Sequence, residues 1–137
     1  MRLARKFYHL RVRDYSLLLR TAVVLLAVRL ALWLVPFRSI RTQLPPMRCA
    51  GDPDNVDQLL WSVRCVSRLV PAATCLTQAL ALHLLMSRAG HASCLRIGML
   101  STNGTVEAHA WLEQKGRVLL GGPDVERYTL LLVIGTE

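Results

Sequence analysis

At 137 residues the chain is one domain's worth of sequence, long enough to bury about two-thirds of its unfolded surface without metals or disulfides. A hydrophobic fraction of 53% beside 19% charged residues excludes a disordered chain, and only two phenylalanines leave the core largely aliphatic. The charge is uneven: residues 1–48 hold ten Arg and Lys against one acid, giving +9, while the remainder holds seven bases against eight acids, giving −1. Nucleic acid, anionic lipid or an acidic peptide could answer such a basic arm, and so could solvent alone.

Within the arm, YSLLLRTAVVLLAVRLALWLVPF has the length of a membrane span. Twelve Leu and Val residues between Leu17 and Val35 favour insertion by roughly 4 to 7 kcal/mol, and Arg20 and Arg29 at mid-depth cost about 2.5 to 3.5 kcal/mol each, so the two sums cancel. The arginines lie nine residues apart, on opposite sides of a helix, and leave no clean lipid face. The segment therefore reads as a helix or helix pair buried against the body or a partner protein, with a peripheral membrane role as the alternative. No secretory signal is expected, because the basic region is too long and no small-residue cleavage site follows. Domain organisation is thus a basic helical arm over 1–48 and a body over 49–137.

PFRSIRTQLPPMRCAGDPDN reads as a connector. Asp52 or Asp54 can cap the helix that follows, in which Val56, Leu59, Leu60, Val63, Val66 and Val70 recur at helical spacing until Pro71. A second helix runs through TCLTQALALHLLMSRAG, with Thr74 as N-cap, a stripe of Leu76, Leu80 and Leu84, and Gly90 as stop. SCLRIGML, VEAHAWLE and RVLL read as strands joined by a hairpin at Asn103-Gly104 and a turn around Lys115-Gly116. Helices first and antiparallel strands afterwards make the fold α+β.

Along VEAHAWLE, alternation places Val106, Ala108, Ala110 and Leu112 on one face and Glu107, His109, Trp111 and Glu113 on the other. Cys75 falls in the first turn of the second body helix, where unpaired N–H groups and the helix dipole favour a negative charge on sulfur. A thiolate attacks carbonyls, and it needs a base, which His109 on an adjoining sheet can be. Asp124, just after the third strand, can deliver a carboxylate to that imidazole. Each residue alone also suits a bland role: a core thiol, a half-exposed sheet histidine, a turn or cap aspartate. His83 reads as a partly buried structural histidine, His91 as a partner of the helix end, and Trp111 as packing or as a shield over the imidazole. Cys49, Cys65 and Cys94 have no C-x-x-C or zinc-site spacing, so no metal site is expected, and a reduced, cytoplasmic state suits all four thiols.

Cys at a helix start, His on a strand and Asp beyond it is the order of transglutaminase-like and papain-like thiol enzymes. TCLTQALALHLLMSRAGHASCLRIGM, VEAHAWLE and DVERYTLL, with RLALWLVPFRSIR upstream, resemble the leader peptidase of lasso-peptide maturation, a transglutaminase-like cysteine protease of bacterial clusters. The resemblance implies a transglutaminase-like or papain-like core, with helices packed on a small antiparallel sheet and preceded by the Leu-rich basic arm. It implies Cys75 as nucleophile, His109 as general base, Asp124 as the residue orienting it, and no cofactor. The substrate implied is a ribosomally made precursor peptide, cut between leader and core. The implied partners are a leader-recognition protein and an ATP-dependent lasso cyclase, not nucleic acid; contact with a membrane surface is the less favoured addition. Two other readings stay open: acyl transfer to an amine by the same residues, and a non-catalytic binding module gripping its partner through the basic arm.

Overall fold

A computed structural model of the chain describes residues 12–36, 39, 54–70, 74–122 and 124–135. Residues 1–11 of the arm, most of the connector, Cys49, the capping side chains expected at Asp52 or Asp54, and Pro71 lie outside them. The described elements are helices α1 (Val12–Leu34), α2 (Asp54–Ser67) and α3 (Cys75–Arg88), then strands β1 (Cys94–Thr102), β2 (Thr105–Gln114), β3 (Arg117–Leu120) and β4 (Thr129–Gly135). A 3₁₀ turn, Val125–Arg127, precedes β4. The architecture is α+β.

The apolar segment of the arm forms one helix of 23 residues. It is long and apolar enough to cross a membrane, with 22% of its most apolar stretch buried. Thr21, Val24, Leu25 and Val28 form its buried face. Leu19, Val23, Leu26, Leu30 and Trp33 are exposed. The buried face meets α2 and α3, and the seam with α2 includes one polar relay: Thr21 Oγ1 donates to Ser62 Oγ at 2.9 Å, and Ser62 Oγ donates to the Leu59 carbonyl at 2.7 Å. Both hydroxyls are fully buried, so each bond cancels a desolvation cost that an isolated hydroxyl would carry.

α2 buries Val56, Leu59, Leu60, Val63 and Val66, the stripe its sequence spacing marks. α3 is the central helix: Ala79, Leu80, Ala81, Leu82, Leu85 and Met86 are all buried, well beyond one stripe. Each fully buried Leu or Met contributes roughly 1.5 to 3 kcal/mol, so α3 organises both the helical layer and the sheet. Its end is a Schellman stop, with Gly90 at φ 85°, Gly90 N–H on the Ser87 carbonyl (3.2 Å) and His91 N–H on the Met86 carbonyl (2.8 Å).

The sheet is antiparallel in the order β3-β2-β1-β4. Both hairpin turns carry positive φ at their two central residues, Asn103 (52°) and Gly104 (79°), then Lys115 (50°) and Gly116 (76°), as two-residue primed turns require. Leu95, Ala110, Leu112 and Ile134 share one sheet face, and that face closes the core with the helices. β4 is a fourth strand beyond the three that the sequence predicts. It pairs with β1, so the link from β3 must travel across β2 and β1 to reach it.

Candidate active site

The helix start comes first. Thr74 has extended backbone (φ −68°, ψ 166°), and its Oγ1 accepts the Thr77 N–H at 3.3 Å, the N-cap the sequence predicts. Cys75 is therefore the first helical residue, half-buried against the core. In such a first turn the N–H groups of Cys75 and Leu76 have no carbonyl available within the helix. They point out of its N-terminal end, where negative charge is favoured.

His109 arrives from β2. Its face of the strand, shared with Glu107, Trp111 and Glu113, is the one turned away from the helical core, because Ala110 and Leu112 occupy the other. Opposite His109 on β1 stands Gly98, so no side chain projects from the directly paired position. What covers it is the crossing from β3 to β4. His109 Nε2 lies 2.5 Å from the Gly121 carbonyl oxygen. A carbonyl only accepts, so Nε2 carries the proton, and in the neutral ring Nδ1 keeps its lone pair. The histidine is held in the tautomer a general base needs.

Tyr128, at the far end of the crossing, packs its ring on His109 with centroids 5.1 Å apart. Trp111 lies on the same imidazole at 6.2 Å with an interplanar angle of 23°. The Tyr128 hydroxyl donates to Glu107 Oε1 at 3.3 Å. Its pKa is raised, first by desolvation, then by the Glu107 charge and hydrogen bond; negative charge on Cys75 pushes the same way, and Arg127 opposes. Tyr128 is thus in ring contact with His109, and its hydroxyl is tied to Glu107. No hydrogen bond joins Cys75 to His109 among the described residues.

Asp124 is exposed and begins the 3₁₀ turn without capping it through its side chain. It stands three residues beyond the carbonyl that holds the ring, and no hydrogen bond connects it to His109 among the described residues.

Two glycines make the crossing possible. A Cβ on Gly121 would lie 2.3 Å from Trp111 Cβ, and a Cβ on Gly98 would lie 3.0 Å from the edge of the Trp111 ring and 2.9 Å from the Thr129 carbonyl oxygen. Trp111 is 3% exposed, and its indole N–H donates to Glu113 Oε1 at 2.8 Å. Glu113 Oε2 pairs with Arg96 Nε at 3.1 Å. The indole is therefore fixed by a carboxylate that is itself anchored.

His83 is buried, with Nδ1 2.7 Å from Ser93 Oγ, and burial lowers its pKa. It is the structural histidine its position implies. Cys65, Cys75 and Cys94 are all outside disulfides. Sequence reasoning places Glu107 on the His109 face without a role and assigns none to Tyr128 or Gly121. The adjacent glycines 121 and 122 were the available signal, since paired glycines mark close backbone approach or left-handed backbone. Nothing local marked Tyr128.

A sequence profile of the transglutaminase-like superfamily matches residues 22–133, from within α1 to within β4. No curated protein and no solved structure gives a significant match.

Proposed function

The chain belongs to the transglutaminase-like superfamily, and from that premise we propose that it is a cysteine peptidase that removes the leader from a ribosomally made lasso-peptide precursor. What supports the reading is a thiol on the first residue of the central helix together with, on β2, an imidazole whose Nε2 meets the Gly121 carbonyl under the Tyr128 ring.

The proposed chemistry follows from these groups. His109 Nδ1 takes the Cys75 thiol proton as sulfur attacks the carbonyl of the leader's last residue. The oxyanion is met by N–H groups of the α3 first turn, that of Cys75 among them. The C–N bond then breaks as the imidazolium passes its proton to the departing amine, which becomes the N-terminus of the core peptide. Water, giving a proton to the same nitrogen, attacks the thioester and releases the leader as a carboxylate. The Gly121 carbonyl keeps the ring oriented throughout. Asp124 is proposed as the acid that favours the imidazolium from the start of the neighbouring turn. In this reading the protein works in the cytoplasm with a leader-recognition protein and an ATP-dependent cyclase.

Incubation with a lasso precursor, with and without a leader-binding partner, tests the proposal by fragment mass. The wild type is expected to yield leader and core, with water added across one bond. Cys75→Ala and His109→Ala are expected to yield neither while keeping the far-ultraviolet circular dichroism of the wild type. Cutting by Cys75→Ala would refute the assignment, and a product carrying an added amine would place the protein among the acyl transferases instead.

A further inference from the structure

A base that takes up a proton at Nδ1 and returns it must keep its ring in one place. The Gly121 carbonyl holds His109 at Nε2, but one hydrogen bond fixes a point and not a plane, and the ring can still turn about it. The plane is set by what lies on the ring, and that is Tyr128 and Trp111. Trp111 is almost wholly buried and runs across the sheet. A Cβ on Gly98, the residue paired with His109, would lie 3.0 Å from Trp111 Cη2. The indole therefore fills the space over β1 into which the imidazole could otherwise tilt.

What decides the orientation of so buried an indole is its N–H, because a buried donor without an acceptor is costly and turns to whatever acceptor is offered. Here that acceptor is Glu113 Oε1, at 2.8 Å, while Glu113 Oε2 is paired with Arg96 Nε at 3.1 Å. Arg96 stands opposite Trp111 on β1, so the carboxylate is held from the neighbouring strand as well as from its own. Glu113 lies four residues beyond His109 on the same face, about 13 Å along the strand, which is too far for a direct bond; the indole spans the interval.

We propose that Glu113 is a positioning residue for the base: through the Trp111 indole it fixes the plane of the His109 ring. The proposal rests on His109 being the general base of the peptidase reading. Without Glu113 the indole turns its N–H toward water, leaves the space beside the imidazole, and the ring no longer stays aligned with the thiol.

The test compares Glu113→Ala, Glu113→Gln, Trp111→Phe and the double variant Trp111→Phe/Glu113→Ala, each in the full chain and each checked for wild-type circular dichroism. Glu113→Gln keeps an oxygen for the indole; Trp111→Phe keeps a ring without the N–H, and it gives the same readings should Glu113→Ala not fold. In precursor cutting, kcat is expected to fall about ten-fold for Glu113→Ala and for Trp111→Phe with KM within about two-fold, and to stay within about three-fold of wild type for Glu113→Gln. The double variant is expected to lose no more than the worse single one. Nitrogen-15 NMR of the His109 ring at about pH 8.5, where an imidazole is neutral, reads the same effect without substrate. The wild type is expected to show Nε2 protonated and Nδ1 bare, and in Glu113→Ala the two signals should move toward each other as the tautomers mix, but not in Glu113→Gln. Wild-type ring signals in Glu113→Ala would overturn the proposal. So would a double variant whose loss is the product of the two single losses, or a Glu113→Gln as impaired as Glu113→Ala. Absence of cutting by the wild type, with ring signals that still shift in Glu113→Ala, would remove the peptidase reading and leave the hold of Glu113 on the ring standing.

Discussion

Gly121→Ala tests the crossing that holds the imidazole. Gly121 has φ 119°, a conformation side-chain-bearing residues rarely adopt, and forcing alanine into it costs about 1 to 3 kcal/mol. The new methyl would also sit 2.3 Å from Trp111 Cβ and 2.9 Å from Trp111 Cα, and relieving that overlap costs about 1 to 3 kcal/mol more. The sum, about 2 to 6 kcal/mol, is a large part of the roughly 5 to 15 kcal/mol that stabilises a small domain. Because one of the atoms in the way is backbone, relief comes from lifting the crossing off β2, which removes the carbonyl from His109 Nε2. Gly122→Ala is the control: its φ is 86°, yet nothing lies within 4 Å of its added Cβ, so only the conformational cost of about 1 to 2 kcal/mol applies. Urea unfolding followed by circular dichroism should place the Gly121→Ala midpoint clearly below that of Gly122→Ala. Peptide cutting by Gly121→Ala, measured where it is still folded, should fall on the order of ten-fold to a hundred-fold. Equal midpoints for the two variants would refute the packing argument.

Thr74→Ala removes the cap of α3 and should cost about 1 kcal/mol in the same unfolding assay, with Thr74→Ser retaining most of it. His83 has a folded pKa below its ordinary value through burial, so the unfolded chain binds the extra proton; stability should fall as pH drops below about 6.5, and His83→Gln should flatten that slope. Tyr128→Phe keeps the ring on His109 and loses only the Glu107 hydrogen bond, so cutting should stay within about three-fold of wild type, while Tyr128→Ala should lose on the order of ten-fold or more.

What was legible in the sequence was whatever local chemistry determines. Thr74 as a cap, Gly90 as a stop and Asn103-Gly104 as a turn each depend on a few neighbouring residues, and each is found where its residue type requires it. Val56 through Val66 needed only the helical period. β4 escaped because Leu130 to Ile134 is an uninterrupted apolar run, which carries no alternation to distinguish strand from helix, and its partner β1 lies some thirty residues away. The central position of α3 was equally hidden: its stripe promised one buried face, and contacts with α1, α2 and the sheet together bury far more.

The candidate site divides along the same line. Cys75 and His109 were readable because each sits where a periodic element delivers it, at a helix start and on a defined strand face. Their relation was not readable, since alternation along β2 turns His109 away from the layer in which α3 lies. The sheet order decides what meets the ring: with β4 beside β1, the chain leaving β3 must cross β2 and β1, and what it lays against His109 is the Gly121 carbonyl and the Tyr128 ring. The strand least visible in the sequence is therefore what draws across the sheet the groups that orient the base.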